Sequence, residues 1–261
     1  MPDDARTLIV TGASSGIGRA LALASAREGF RVVMVARRAE RLEEVARSIR
    51  DADGACAVID GNVTAPEMAA RIVQAALQTF GRIDVVVNNA GTGAIGPLLE
   101  VGDAAIEAQW QLHVAAPLRL ARAALANLEA TRGQLVFVGS GVARVPLPSW
   151  GAYSLAKAAI RAAAIQLRRE LCARGIAVTY VDPGVVASEF HSTVGIKRTL
   201  QLVASPEQVA AAILRGIARR AAVVNGVPWQ TAFTTLAEAS GTLADPVVIK
   251  YFSAQPAQRR Q

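Results

Sequence analysis

The chain has 261 residues, of which 52% are hydrophobic and only 5% aromatic, so alanine, valine and leucine must build its interior. Its 28 Lys and Arg against 21 Asp and Glu give a formal charge of +7. The basic residues stand singly or in pairs, without interleaved aromatics, which argues against nucleic-acid binding. No uncharged stretch is typical of a transmembrane helix, and the acidic start has no apolar signal region. Cys56 and Cys172 have neither disulfide nor metal-site spacing, so we expect a cytoplasmic protein without a membrane anchor or a metal.

Short β-branched runs alternate with longer segments of helical period, which predicts an α/β fold. We expect a single doubly wound Rossmann-type domain with a mostly parallel sheet of six to seven strands, a core of residues 1–224, and a tail of residues 225–261 without assigned structure. The predicted strands are Thr7–Thr11, Arg31–Val35, Ala55–Ile59, Ile83–Val87, Gln134–Val138, Ile176–Val181 and a short Ala222–Val224. The predicted helices are Gly18–Glu28, Glu40–Asp51, Pro66–Phe80, Ala104–Ala130, Tyr153–Ala173 and Pro206–Arg220. Four glycines are expected to end helices in the left-handed conformation, namely Gly29, Gly81, Gly133 and Gly175.

The first predicted strand runs through a glycine-rich loop, Thr11–Gly18, directly into a helix. Glycines at such a place allow a tight turn and a close approach to a pyrophosphate, which binds the free N–H groups of the helix N-terminus. The spacing is GxxxGxG, and a glycine-rich turn without any ligand is the alternative. The residues expected at the cofactor phosphates are Gly12, Ser14, Ser15, Gly16, Ile17 and Gly18.

The second predicted strand ends in Ala36, Arg37 and Arg38. An enzyme that uses NAD typically has a carboxylate here to bind the ribose hydroxyl, whereas a guanidinium fits the 2′-phosphate of NADP. The sequence therefore predicts NADP(H) as the cofactor, bound through Arg37 and Arg38 with help from the two loop serines. Alternatively, the two arginines only begin a solvated helix.

A tyrosine and a lysine, Tyr153 and Lys157, stand four residues apart in a predicted helix. The chain has only three of each residue type, so chance would give this spacing with odds of about 0.03. Positions i and i+4 lie on one helix face, and an ammonium beside a phenol favours the phenolate. The pair is typical of a proton donor with a lowered pKa, although an ordinary amphipathic helix would also explain it.

These motifs occur in the same order as in the short-chain dehydrogenase/reductase family, which residues 7 to about 190 resemble. The resemblance also rests on Asn88–Gly91, Ser140 and Pro183–Ser188. It implies that Tyr153 donates a proton to a substrate carbonyl while the cofactor delivers hydride. Lys157 would lower the Tyr153 pKa and bind the nicotinamide ribose, and Ser140 would orient the carbonyl oxygen. Further cofactor contacts implied by the resemblance are Asn62, Val63, Asn89, Ala90, Gly91, Pro183, Gly184, Val186 and Ser188.

The chain departs from the family pattern at two places. His113 stands where an asparagine usually holds a water for proton relay; an imidazole can bind such a water, or it can simply pack and bond to a backbone carbonyl. The Asp-Gly-Gly motif near the seventh strand is missing, with Asn225-Gly226 as its closest remnant. We therefore expect at least a homodimer through the alanine-rich helices, with a homotetramer less favoured.

The function implied is hydride transfer between NADP(H) and a small carbonyl or alcohol substrate. The expected substrate pocket is formed by Gly93–Leu98, Ala143–Trp150 and Glu189–Ser205. Its apolar residues favour an apolar substrate, although they could instead fill the protein core. Its basic residues could meet an acidic group or be solvated, namely Arg144, His191, Lys197 and Arg198. The alternatives are a catalytically silent NADP-binding sensor on the same fold, and a lyase or epimerase of the wider superfamily.

Overall fold

Seven parallel strands form one sheet in the part of the chain that the computed structural model describes, residues 4–94, 96–187 and 203–252. The strand order is β3-β2-β1-β4-β5-β6-β7, and all six neighbouring pairs are parallel. The strands are β1 Thr7–Thr11, β2 Arg31–Ala36, β3 Cys56–Asp60, β4 Val85–Asn88, β5 Gln134–Val138, β6 Ala177–Asp182 and β7 Val223–Asn225. The order reverses between β1 and β4, and such a reversal opens a ligand crevice at the carboxyl ends of the strands.

Helices cover both faces of the sheet. They are α1 Gly16–Arg27, α2 Ala39–Arg50, α3 Met68–Phe80, α4 Asp103–Trp110, α5 Ala116–Ala130, α6 Gly151–Leu171, α7 Pro206–Ala218, α8 Pro228–Ala239 and α9 Asp245–Phe252. One apolar cluster joins α1, α2 and α7 to the sheet, and a second joins α3, α5 and α6 to its other face. Successive β1 residues alternate between the two clusters, so a doubly covered strand has to be apolar throughout. This confirms the predicted fold class and places the strands within two residues of their predicted ends.

The predicted helix Ala104–Ala130 is interrupted by a π-helical turn, Gln111–Ala115, which separates α4 from α5. Pro117 has no N–H to donate to the carbonyl of His113 four residues earlier, so a regular α-helix cannot continue there. The N–H of Ala116 donates instead to the carbonyl of Gln111, five residues back. His113 therefore lies inside a π-turn, a feature frequent at functional sites.

Three of the four predicted left-handed glycines are confirmed, with φ of 83° at Gly29 and 74° at both Gly81 and Gly175. The prediction for Gly133 was wrong, because the left-handed residue after α5 is Arg132, with φ of 48°. Gly133 is needed for a different reason. Its N–H donates to the carbonyl of Leu128 at 2.6 Å, and a Cβ on it would lie 2.6 Å from the carbonyl oxygen of Asp84.

The tail that sequence patterns left unassigned contains α8, a 3₁₀ turn at Gly241–Ala244, and α9. Gln230 of α8 accepts the N–H of Val185 at 2.7 Å, and Glu238 forms ion pairs with Arg144 at 2.9 Å and Arg161 at 2.8 Å. These contacts hold α8 over the carboxyl edge of the sheet. Among the helices described, none combines the length and apolarity required to span a bilayer.

Candidate active site

The carboxyl ends of β1 and β4 are joined through Thr11 and Asn89. The Thr11 hydroxyl oxygen accepts the N–H groups of Asn89 and Ala90, both at 3.0 Å, and the Asn89 side chain donates to the Thr11 carbonyl at 2.9 Å. Asn89 and Ala90 were expected to flank the adenosine. The contacts seen here give them a further task, which is to fix the start of the glycine loop.

The glycine loop is crowded against this junction. Gly12 has φ of 72°, and a Cβ on it would lie 2.9 Å from the Cα of Ala90. A Cβ on Gly18 would collide with the carbonyl of Gly12, and Gly16 begins α1 with φ of 52°. Side chains are therefore excluded where the backbone must turn into the helix.

The N-terminus of α1 is open to an anion. Ser15 stands at the N-cap of α1 with extended backbone, yet its side chain makes no capping hydrogen bond, and Ile17 is only partly buried. The first amides of a helix lack intrahelical partners and attract negative charge. The loop thus has the close backbone approach and the free donors that a dinucleotide pyrophosphate requires.

Arg38, rather than Arg37, contacts the glycine loop. Its guanidinium donates to the Ser14 hydroxyl oxygen at 3.1 and 3.2 Å and to the Ser15 hydroxyl oxygen at 2.7 Å. Arg37 is exposed beside it, and Ala36 at the end of β2 carries no carboxylate. One cation and two hydroxyls are thereby gathered at one point, a donor set that suits a phosphate monoester.

The remaining expected cofactor residues follow β3 and β6 at the same sheet edge. The Asn62 side chain accepts the N–H of Thr64 at 3.1 Å, and Val63 packs against the cluster that contains α3. Pro183 follows β6, Gly184 has φ of 68°, and Val186 is buried. Ser188 and most of the expected substrate segment Glu189–Ser205 lie outside the described residues.

The three residues expected to perform catalysis lie together at the ends of β5 and α6. Ser140 lies two residues after β5 and caps a 3₁₀ turn, while Tyr153 and Lys157 are buried in the first two turns of α6. The side chain of Ser140 hydrogen-bonds to the Tyr153 hydroxyl. The Lys157 ammonium donates to the carbonyl of Val138 at 2.8 Å and lies 5.6 Å from the centroid of the Tyr153 ring.

Burial dominates the protonation of this cluster. It raises the pKa of Tyr153 well above its usual value, and the hydrogen bond from Ser140 offsets this only in part. The expectation of a lowered Tyr153 pKa was therefore wrong, because desolvation of the phenolate is the largest influence on that pKa. Burial also lowers the pKa of Lys157 to about 8. At neutral pH the cluster holds a protonated phenol beside a charged lysine.

His113 is buried and neutral. Its Nε2 lies 2.8 Å from the carbonyl oxygen of Thr92, which can only accept, so Nε2 carries the proton. Nδ1 is buried and finds no hydrogen-bond partner among the described residues. The ring packs edge-on against Tyr153 at 5.2 Å, and a Cβ on Gly91 would lie 2.8 Å from its Cε1.

Burial, and then the charge of Lys157, lower the pKa of His113 to about 3, although the bond to Thr92 acts in the opposite direction. His113 therefore does not titrate near the ordinary imidazole value of 6.5. The imidazole can take part in a relay only as a neutral group that donates from one nitrogen and accepts at the other.

Sequence reasoning missed several residues that shape the site. Thr92 contacts His113 from 21 residues away, Tyr180 contacts Ser140 from 40 residues away, and Glu238 contacts Arg144 from 94 residues away. No local motif marks such partners, since the fold alone brings them together.

Comparison with known proteins agrees with this arrangement. Residues 6–198 match the family model described as short chain dehydrogenase. A Short chain dehydrogenase of Pseudocercospora fijiensis is 36% identical over 188 residues, which cover 70% of this chain and 60% of that protein, so the match spans less than two thirds of that relative. The 11-beta-hydroxysteroid dehydrogenase-like 3 of Arabidopsis thaliana is 31% identical over 231 residues, 86% of this chain and 74% of that protein.

Solved structures show the same architecture. A short-chain dehydrogenase from Sphingobium yanoikuyae in complex with NADPH is 31% identical, with a TM-score of 0.80 over 97% of this chain and 99% of its own. A short chain dehydrogenase/reductase from Burkholderia phymatum in complex with NAD has a TM-score of 0.82 over 98% of this chain and 99% of its own, but only 19% identity, and so shows the fold alone. From its sequence, its fold and these relatives, the chain belongs to the short-chain dehydrogenase family of oxidoreductases.

Proposed function

We propose that this protein is an NADP(H)-dependent carbonyl reductase that also works in reverse as an alcohol dehydrogenase. The observation that carries the proposal is the buried cluster of Ser140, Tyr153 and Lys157, which shares its sheet edge with the glycine loop and Arg38. An NADPH complex of the Sphingobium relative supports the choice of cofactor.

Each residue of the cluster has a distinct task in the reduction. Tyr153 is protonated at neutral pH and donates its proton to the carbonyl oxygen of the substrate. Ser140 orients that oxygen by a second hydrogen bond, and the Lys157 charge stabilises the phenolate that remains on Tyr153. The cofactor supplies hydride to the carbonyl carbon when it is bound. Lys157 would also bind the nicotinamide ribose.

The cofactor phosphates have two sets of partners. The glycine loop and the N-terminus of α1 would bind the pyrophosphate, while Arg38, Ser14 and Ser15 would bind the 2′-phosphate. Asn62 and Val63 would lie against the adenine, and Val186 against the nicotinamide. Arg37 would add charge from the outer side.

A catalytically silent sensor explains the site less well. Binding the phosphates of NADP(H) requires the glycine loop and Arg38, but it does not require a cation beside the Tyr153 ring. An ammonium in an apolar interior is costly, and Lys157 is only 5% exposed. A protein that only binds the cofactor would gain a ribose contact from Lys157, whereas a proton-transfer enzyme also gains a charge that stabilises the Tyr153 phenolate.

The described part of the substrate side is apolar. The Trp150 ring lies 5.6 Å from the Tyr153 ring, and a Cβ on Gly151 would lie 2.7 Å from the Cα of Leu98. Leu98 is itself exposed. A carbonyl with an apolar or aromatic substituent fits such walls.

Self-association through α4 to α6 remains part of the proposal. Trp110 of α4 is 48% exposed and Leu155 of α6 is 51% exposed, and large apolar side chains at that exposure favour burial against a second copy. A homodimer is the smallest assembly that we expect, and we propose that it forms in the cytoplasm.

We expect Lys157→Met to abolish turnover and yet to stabilise the fold. The pKa of Lys157 is lowered from 10.5 to about 8, so keeping its charge destabilises the folded wild type by on the order of 3 kcal/mol at pH 7. The variant avoids this cost but loses the hydrogen bond to Val138, which contributes about 1 kcal/mol. Urea unfolding should show a higher free energy of unfolding for the variant at pH 7.

The sign of this effect sets its pH range. Between about pH 8 and 10.5 the unfolded wild-type chain still binds the Lys157 proton and the folded one releases it, so wild-type stability rises and the advantage of Lys157→Met shrinks. Lys250→Met, which removes an exposed lysine of α9, is the control and should show no such trend. An equal or lower stability of Lys157→Met at pH 7 would contradict the assignment.

For His113 we expect acid sensitivity in stability and not in rate. Its folded pKa of about 3 lies below the ordinary 6.5, so the unfolded chain binds a proton that the folded one does not, and stability falls as pH drops below about 6.5. His113→Asn should reduce this slope by up to about 1.4 kcal/mol per pH unit. Unfolding curves between about pH 7 and pH 4 measure the slope.

Turnover completes the His113 test. If the bare Nδ1 accepts a relay hydrogen bond, His113→Asn should keep most activity and His113→Leu should lose about tenfold. Neither wild type nor variant should show an inflection near pH 6.5. A kcat inflection there that disappears in His113→Asn would refute the neutral assignment, and full activity in His113→Leu would leave Ser140, Tyr153 and Lys157 as the catalytic set.

For the cofactor we expect NADPH to bind at least about tenfold more tightly than NADH at one salt concentration, about 1.4 kcal/mol. Arg38→Ala should remove most of this preference and should leave NADH binding nearly unchanged, because only NADPH carries the 2′-phosphate. Arg47→Ala removes the same charge from an exposed position two turns further along α2 and serves as the control. Equal affinities for the two cofactors in the wild type would sink the NADP assignment.

The reaction itself is tested with Tyr153→Phe, which keeps the ring and removes the proton. Turnover should fall by about 10² or more while NADPH binding persists. The assay is loss of NADPH absorbance with a panel of a quinone, an aryl ketone and a 3-oxoacyl thioester. If the wild type binds NADPH but reduces none of them, the sensor becomes the better description; if Tyr153→Phe retains native turnover, the mechanism fails.

A further inference from the structure

Tyr180 of β6 reaches the backbone of Ser140 at the end of the neighbouring strand. Its hydroxyl oxygen accepts the N–H of Ser140 at 3.2 Å and its O–H donates to the carbonyl of the same residue at 3.3 Å. Ser140 is extended, with φ of −169° and ψ of 155°. In that conformation the N–H and C=O of one residue point the same way, so a single hydroxyl can serve both.

The Tyr180 hydroxyl bonds the chain just beyond the point where the backbone pairing of β5 with β6 ends. The N–H of Gly139 donates to the carbonyl of Val181 at 2.8 Å, and Ser140 is the residue after it, at the point where β5 has stopped. From that point the Ser140 N–H is bonded by a side chain, and the Ser140 carbonyl accepts both the Tyr180 hydroxyl and the N–H of Ala143, the latter at 3.1 Å. Tyr180 therefore continues the β5–β6 pairing by one residue.

Gly139 makes room for this arrangement. A Cβ at Gly139 would collide with the ring and the hydroxyl of Tyr180, although its own backbone does not require a glycine conformation. The residue before Ser140 is thus small because the phenol of β6 passes over it.

The phenol is suited to a two-way bond. Tyr180 is only 3% exposed, and burial raises its pKa to about 12, so it keeps its proton and can donate and accept at once. A phenolate could not donate to the Ser140 carbonyl.

We propose that Tyr180 is a positioning residue, whose hydroxyl holds the Ser140 backbone so that the Ser140 side chain is directed at Tyr153 and the substrate carbonyl. The inference rests on the proposed function, because the task of Ser140 in carbonyl orientation belongs to that proposal. No hydrogen bond joins Tyr180 to Tyr153 among the described residues, so its hydroxyl positions the site through Ser140.

The test is Tyr180→Phe, which keeps the buried ring and removes the hydroxyl. With the carbonyl of the panel that wild type reduces fastest (9,10-phenanthrenequinone, acetophenone or acetoacetyl-N-acetylcysteamine), kcat should fall about tenfold while the Kd for NADPH stays unchanged. Thr179→Val is the matched control. It removes a buried hydroxyl from the preceding residue of β6, which donates to the carbonyl of Ala221, and should lower Tm without lowering kcat.

A double-mutant cycle separates positioning from packing. If Tyr180 acts through Ser140, then Ser140→Ala and Ser140→Ala/Tyr180→Phe should have equal kcat, while the Tm cost of Tyr180→Phe remains in both backgrounds. If the double variant has a kcat lowered by the product of the two single losses, or if Tyr180→Phe has native kcat, the inference is overturned. Gly139→Ala displaces the ring without removing it and should show the same loss and the same dependence on Ser140, which provides a second route should Tyr180→Phe fold poorly.

The pH dependence of alcohol oxidation is a measurement that a purely structural role of the Tyr180 hydroxyl would leave unchanged. The bond from Ser140 lowers the pKa of Tyr153, whereas Tyr180 itself raises that pKa by a smaller amount. Loss of the Ser140 bond therefore outweighs loss of the Tyr180 hydroxyl, and the rise of alcohol oxidation with pH should shift to higher pH in Tyr180→Phe. If alcohol oxidation by Tyr180→Phe rises at the same pH as in the wild type, the positioning role is contradicted. If Ser140→Ala retains native kcat, or if wild type reduces no carbonyl of the panel, the proposed function fails; if Ser140→Ala is slow and Tyr180→Phe is not, only the inference fails.

Discussion

A buried ammonium is the constraint on which the chemistry of this site depends. Lys157 lies in an apolar interior with its charge bonded to the carbonyl of Val138, and its burial is unfavourable enough to lower its pKa. Its charge contributes to keeping His113 neutral. Tyr153 is buried beside Lys157, and the loss of solvent raises the Tyr153 pKa, so it keeps its proton at neutral pH. Removal from water, more than any single contact, sets the protonation of all three residues.

The parallel sheet places two groups of site residues side by side along its carboxyl edge. The ends of β1 and β4, joined by Thr11 and Asn89, carry the glycine loop, whereas Ser140 after β5 and Tyr153 at the start of α6 form the proposed catalytic group. Helix α8, in the C-terminal tail, contacts the residues that follow β5 and β6. Glu238 links α8 to Arg144 and Arg161, and Arg144 lies 3.8 Å from the buried Asp182, whose pKa is raised by burial and lowered again by these cations. The charges of these four residues balance one another around the β6 end.

The sequence predicted whatever depends on local patterns. Apolar runs buried on both faces revealed the strands, and the glycine loop and the Tyr153–Lys157 spacing led directly to the site. The π-turn had a local signal in Pro117, but one proline near the start of a helix does not distinguish a π-turn from an ordinary second helix. Properties that arise from three-dimensional burial could not be read in this way. The pKa directions of Tyr153 and His113 are examples, because spacing reveals a neighbouring charge and hides the loss of solvent.

The basic composition also acquires a physical explanation once the arginines are placed. Arg220 donates to the carbonyls of Arg132, Gly133 and Gly175, and so joins three turns at the amino edge of the sheet. Arg174 pairs with Glu129. Arg38 stands at the opposite edge against the glycine loop. Guanidinium groups serve both purposes because their planar donors can satisfy several carbonyls or one phosphate at once. Part of the basic excess thus lies at turns, where Arg220 satisfies backbone carbonyls, and part beside the glycine loop, where Arg38 bonds two serine hydroxyls.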